Sequence, residues 1–314
     1  MLSRAAQRVV RDWIVDSRQW DRFKPREGDV VVGTAPKCGT TWTQRIVSLL
    51  IFQSTTPRPI IATSPWVDCR FQIPIDVVVQ MLEGQTHRRA VKSHLPFDAL
   101  PVYDEVRYIH VARDGRDACM SFHNHYTNFT PMQLERLDRI GMEDETIRAP
   151  LPRMPEDRRA FFINWLNTGS DARGSVGSGY FDIERSYWAE RGRQNLLLVH
   201  YNDLKADLGG EMKRIAKFLG IETPPELWPS LVEAAGFDAM KRDGAALLPG
   251  IEIAFNGGHD TFINRGTNGR WRDVLTEKDI ALYRKRESAE LSPGLARWLE
   301  NGRLKAGDPR VMED

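Results

Sequence analysis

Four short runs of consecutive apolar, mostly β-branched residues punctuate the first two thirds of the chain: 29–33 (DVVVG), 89–92 (RAVK), 106–111 (VRYIHV) and 196–199 (LLLV). Runs of this length without alternation read as strands covered on both faces. Between them the pattern changes to helical spacing. Over 40–52 the apolar positions Trp42, Ile46, Leu49 and Leu50 share one helical face, and helices are expected over 117–125 and from the turn at Asn202–Asp203 through Phe218. Short apolar strands alternating with helices imply an α/β fold with a central parallel sheet flanked by helices.

The remaining segments differ in character. Residues 127–158 hold Pro131, Pro150, Pro152 and Pro155 with weak periodicity, and 174–179 (GSVGSG) reads as a joint. We expect a single domain over 1–314, with a cap or insert around 127–180 and a lid and tail over 247–314. Residues 247–269 are glycine-rich and aperiodic, and so long a loop in a compact domain is usually functional. A surface helix is expected over 277–291.

Composition narrows the chemistry. Lys and Arg total 44 against 43 Asp and Glu, a net charge of +1, so the chain has no overall basic coat for nucleic acid. No apolar run is long enough to span a membrane. The N-terminus, interrupted by Arg4, Arg8 and Arg11, lacks the apolar core of a signal peptide. The three cysteines, Cys38, Cys69 and Cys119, are too few for a disulfide framework and lack zinc spacing. A cytoplasmic, reducing location is expected.

Candidate chemistry lies where the predicted strands end. The segment 33–42 (GTAPKCGTTW) joins a strand to a helix. Such a loop offers backbone N–H groups and a helix N-terminus to an anion. Lys37 adds a full charge and Thr40 and Thr41 add hydroxyl donors, while Gly39 permits close approach. The loop is P-loop-like but lacks the terminal Gly-Lys-Ser/Thr of nucleotide triphosphatases.

PKCGTTW closely resembles the PKSGTTW loop of sulfotransferases that use 3′-phosphoadenosine 5′-phosphosulfate (PAPS), of the cytosolic aryl/alcohol type. Cys38 stands where serine is usual, at a position where the backbone N–H is expected to matter. Further blocks follow in the family's order. Lys92-Ser93-His94-Leu95-Pro96 is similar to the family's Lys-Thr-His-Leu-Pro, whose histidine is the catalytic base. Arg113 to Asp117, with Ser121 beyond, resembles its 3′-phosphate block. Residues 262–272 (FINRGTNGRWR) resemble RKGxxGDWK, with Asn264 in place of arginine, Arg270 in place of aspartate, and Arg265 and Gly266 where lysine and glycine meet the 3′-phosphate. Trp42, Tyr201 and Phe237 match aromatic positions around adenine.

The resemblance covers residues 29–276. It implies catalytic His94, Lys37 and Lys92, with Lys37, Cys38, Gly39, Thr40, Thr41, Trp42, Arg113, Ser121, Tyr201, Phe237, Asn264, Arg265 and Gly266 around the cofactor. It also implies PAPS as sulfuryl donor, adenosine 3′,5′-bisphosphate (PAP) as product, no metal, and a small hydroxylated acceptor. A phenol, sterol or lipid alcohol suits the aromatic candidates Trp66, Phe71, His123, Tyr126 and Phe129, while Phe162 and Trp165 read as core. A carbohydrate or glycolipid acceptor stays open. Two other readings predict different behaviour: a relative that binds PAP without transfer, and a kinase-like enzyme that needs ATP and magnesium. The family's dimer segment, KxxxTVxxxE, is not matched, because Glu277 and Ala281 stand where valine and glutamate would be.

Overall fold

The computed structural model describes residues 1–168 and 179–314. Residues 174–178 of the expected joint lie outside the described residues. Six strands are present among the described residues: β1 (Leu2–Arg4), β2 (Val30–Gly33), β3 (Ala90–Ser93), β4 (Val102–Tyr103), β5 (Arg107–Ala112) and β6 (Leu196–His200). β1 and β4 form a small antiparallel pair. The other four form one parallel sheet in the order β3-β2-β5-β6. These are the runs read from the sequence, with ends shifted by a residue.

Each strand of the parallel sheet is covered on both faces. Val30, Val32, Ile109 and Val111 pack with Ile46 and Leu49 of the helix Thr40–Phe52 and with Met212 and Ile215 of the helix Leu208–Leu219. Val31, Val91 and Tyr108 point the other way, into a second core with Phe97, Tyr187 and Trp298. Strict alternation along fully buried strands is what a two-sided sheet demands.

A buried ion pair locks the start of the sheet. Arg89 Nε donates to Asp29 Oδ1 at 2.9 Å, Nη2 pairs with Oδ2, and both side chains are almost fully buried. Removing the cation leaves a buried carboxylate uncompensated. We expect Arg89→Ala to cost about 3–5 kcal/mol, read as a lower urea midpoint; an unchanged midpoint would refute the role of this pair.

Two regions carry more order than their patterns suggested. Residues 131–143 form a helix that Thr130 caps by accepting from the Gln133 amide at 3.1 Å. The glycine-rich stretch folds into short helical turns and docks on 128–130: the amide of Thr130 donates to Ala254 O at 3.0 Å and that of Asn256 to Asn128 O at 2.8 Å. The helix Glu277–Glu290, expected at the surface, buries Tyr283 against Phe162 and Phe181.

β2 lies between β3 and β5, so the chain leaves its carboxyl end in opposite directions on the two sides. Open α/β sheets hold ligands at such a crevice. The register puts Gly33 beside Ser93 and His110, and Ala112 beside His200. Thr34, His94, Arg113 and Tyr201 therefore emerge from four adjacent strands along one edge.

Candidate active site

A cavity of about 670 Å³ opens at that edge. Its wall contains every residue named above for catalysis or cofactor contact except Cys38. The Cys38 thiol is buried in the core, its backbone N–H donates to Ala35 O at 3.3 Å, and burial pushes its thiol well up. The residue thus packs the loop from behind.

The loop between β2 and the helix Thr40–Phe52 turns through two left-handed backbone positions, Lys37 at φ 69° and Gly39 at φ 117°. A side chain rarely tolerates φ > 0, and at Lys37 this turn carries the ammonium into the cavity. There Nζ lies 3.2 Å from His125 Nδ1 and 4.9 Å from the centre of the Phe262 ring. An ammonium only donates, so His125 Nδ1 is the acceptor. Burial, then Lys92, Arg113 and Arg270, bring the Lys37 pKa down to about 7. Burial brings Lys92 to about 8, and its Nζ sits 3.7 Å over the Trp66 ring, within cation–π range. Arg270, which replaces an aspartate of the family pattern, joins this ring of cations.

His94 is fixed in one tautomer. Its Nδ1 lies 2.8 Å from Thr34 O, and a carbonyl only accepts, so Nδ1 carries the proton. Nε2 is then bare, with no hydrogen-bond partner among the described residues. Burial and the neighbouring Lys92 push the imidazole well below its usual pKa, so it is neutral at pH 7. The backbone N–H of His94 donates to Asp68 Oδ2 at 3.1 Å, and Asp68 also accepts from the indoles of Trp20 and Trp66 at 3.1 and 2.8 Å. Thr34, Asp68 and His125 were not read from the sequence. Asp68 sits in a stretch with no motif, and only the fold brings it to His94.

On the other side, Trp42 meets Tyr201 edge-on at 5.3 Å and donates through Nε1 to Ala235 O at 2.7 Å. Arg113 lies over Tyr201 at 4.1 Å. Its guanidinium makes four hydrogen bonds, to Lys37 O, Thr267 O and twice to Asn268 Oδ1. Arg113 thereby clamps the 264–269 segment over the loop. Asp117, on the helix that follows, accepts from the Gly269 amide at 2.7 Å. Arg265 and Asn264 reach the same wall, Arg265 with an exposed side chain. Gly266 has φ 61°, and a Cβ there would meet the Phe237 ring at 2.6 Å. We expect Gly266→Ala to lower stability by about 1–3 kcal/mol and to weaken PAP binding together with it; a variant binding PAP as tightly as the parent would refute this contact.

The site therefore joins a strand–loop–helix anion cradle, a ring of four cations and a neutral, half-buried histidine. The sequence model of the Sulfotransferase domain family matches residues 27–291. The chain belongs to the sulfotransferase family. It is 32% identical over 313 residues to a glycolipid sulfotransferase of Mycobacterium bovis (strain BCG / Pasteur 1173P2), covering 94% of each chain. It is 27% identical to Sulfotransferase 1B1 of Mus musculus, covering 86% of this chain and 87% of that one. Mouse sulfotransferase SULT7A1 complexed with PAP superposes with a TM-score of 0.66 at 20% identity, over 90% of both chains. Retinol dehydratase in complex with androsterone and inactive cofactor PAP gives 0.67 at 22%, over 89% of this chain and 87% of that one. These structures share the fold.

In this sulfotransferase the cavity continues past His94 into an apolar chamber. Trp66, Phe71 and Phe129 line it, together with Phe122, His125, Phe255 and Phe262. His123, Tyr126 and Phe162 do not. His123 turns to Glu156 O at 2.6 Å, the Tyr126 hydroxyl donates to Pro152 O at 3.2 Å, and Phe162 is core. Phe255 and Phe262 were not read as chamber residues because they belong to the glycine-rich stretch, which shows no periodicity.

Proposed function

We propose that this sulfotransferase moves the sulfuryl group of PAPS to a hydroxyl of a small, largely apolar acceptor by in-line displacement. The residues present fit such a donor. Lys37, Lys92, Arg113 and Arg270 crowd like charges that only an anion relieves, and Trp42, Tyr201 and Phe237 present aromatic surface beside them. Lys37, Thr40, Thr41 and the amides of the first helical turn hold the 5′ phosphosulfate end. Arg265, Gly266 and Ser121 take the 3′-phosphate, with Arg113 positioning the segment around it, and Asn264 contributes a neutral donor where the family pattern has arginine. The donor supplies the sulfuryl group and leaves as PAP.

This chain's residues do the rest by positioning and charge stabilisation. His94 Nε2 accepts the proton of the attacking hydroxyl, and Thr34 O holds the ring through Nδ1. Lys37 neutralises charge on the departing phosphate oxygen, while Lys92, held against Trp66, faces the transferring group. The apolar chamber accepts the acceptor's body and excludes water from the reacting centre. A lipid alcohol suits this lining, as does the name of the glycolipid sulfotransferase relatives.

The observation that carries the reading is the convergence of His94, Lys37 and Lys92 where the anion cradle meets the apolar chamber. The test is transfer of labelled sulfate from PAPS to phenols, sterols and lipid alcohols, beside thermal stability with PAP or with ATP and magnesium. Label transfer and a rise with PAP alone are expected. A response only to ATP with magnesium would overturn the reading, and PAP stabilisation with no transfer across the panel would favour a non-catalytic relative.

A further inference from the structure

The far end of the acceptor chamber carries polar groups that sulfuryl transfer does not use. The helix Pro131–Glu143 contributes Gln133 and Arg136 to the wall, three residues apart and so on one face. Gln133 is 2% exposed, and its side-chain Nε2 has no hydrogen-bond partner. A buried amide donor left unmade is costly, so the position calls for an oxygen from outside the protein. Arg136 is half-buried and donates through Nη1 to Phe71 O at 3.0 Å. Among the described residues it has no ion-pair partner. Neighbouring arginines are paired: Arg153 with Asp138, and Arg70 and Arg11 with Asp144. Asp12 also lines this end, its Oδ1 accepting from the amides of Ile14 and Val15.

Ring contacts give the order of groups from the base outward. His94 meets Trp66 edge-on at 4.8 Å, Trp66 meets Phe71 at 5.6 Å, and Arg136 binds the Phe71 carbonyl. Two aromatic residues therefore separate the base from Arg136.

We propose that Arg136 and Gln133 read a second oxygen function of the acceptor, a carbonyl or carboxylate, at the end opposite the sulfated hydroxyl. The acceptor is then a two-ended amphiphile: a hydroxyl at His94, an apolar or aromatic middle along Trp66 and Phe71, and a hydrogen-bond-accepting oxygen at Arg136. This substrate class rests on the sulfuryl-transfer reading of the same cavity. A site built to donate hydrogen bonds rejects analogues lacking the oxygen, because its donors stay buried and unmade.

The experiment measures binding to the PAP-loaded protein by calorimetry. The ligands are ω-(4-hydroxyphenyl)alkanoic acids, their methyl esters and 4-alkylphenols of matched length, over a series of chain lengths. At the best length the acid or the ester is expected to bind about tenfold or more tighter than the alkylphenol. Arg136→Met and Gln133→Leu are each expected to bring that ratio toward one, with PAP stabilisation reporting that each variant is folded. The acid and ester arms distinguish an anionic from a neutral oxygen. Equal or tighter binding of the plain alkylphenol at every length, or a ratio that both variants leave intact, would overturn the assignment. Failure of the sulfuryl-transfer reading itself appears separately, as absence of label on every phenol despite binding.

Discussion

Replacing His94 with alanine will lower kcat for label transfer by about 10²–10⁴-fold and leave stabilisation by PAP nearly unchanged. The separation follows from the geometry. The His94 ring is held by Thr34 O and contacts Trp66 on the chamber side. The groups proposed to hold PAP lie in the loop, on Arg113 and on the 264–269 segment. Because burial and the two lysines keep His94 neutral well below pH 6.5, the acid limb of the parent's pH–rate profile will also lie below that value. The alanine variant will lack this limb. A variant with parental kcat would remove His94 from the chemistry, and equal loss of PAP binding would make its role structural.

PAP binding will draw in protons and weaken as pH rises above 7. Lys37 titrates at about 7 and Lys92 at about 8 in the protein without ligand. An anion against them favours their charged forms, so their pKa values rise in the complex. Both lysines are charged below pH 7 and PAP meets the full field. Above pH 7 Lys37 must take up a proton to bind, and above pH 8 Lys92 must as well. Affinity therefore falls by up to about tenfold per pH unit above 7 for the first proton, and more steeply above 8, until the raised pKa values of the complex are reached. Between pH 7 and 9 the phosphates of PAP are already fully ionised, with second pKa values near ~6, so the slope reports the protein. Calorimetry at pH 8 in buffers of different ionisation enthalpy will count the protons, and Lys37→Met will remove the larger share. Affinity independent of pH over this range would refute the lysine assignment.

Cys38 and Arg270 illustrate how far single positions could be read. Cys38 stands inside the anchoring motif, yet the fold turns its thiol into the core and uses its amide within the loop. Arg270 stands where the family pattern has aspartate, and the structure brings its charge to bear on Lys37 together with that of Arg113. Asp68 and His125 lie in no motif, and each gains its place only when distant segments pack: Asp68 at the His94 backbone, His125 at Lys37.

What the sequence by itself determined was local. Runs of β-branched residues made the four parallel strands, because a strand buried on both faces must be apolar throughout. The blocks around Lys37, His94, Arg113 and Gly266 pointed to the family because they resemble its motifs and follow in the same order. Tertiary structure alone decided which strands lie side by side, which aromatic residues face the chamber rather than the core, and that Arg136 has no ion-pair partner among the described residues. Those outcomes depend on contacts between residues far apart in the chain, such as Trp66 against His94 and residues 128–130 against 254–256. No local pattern encodes them, since an aromatic side chain gains as much from burial in a core as from lining a ligand chamber.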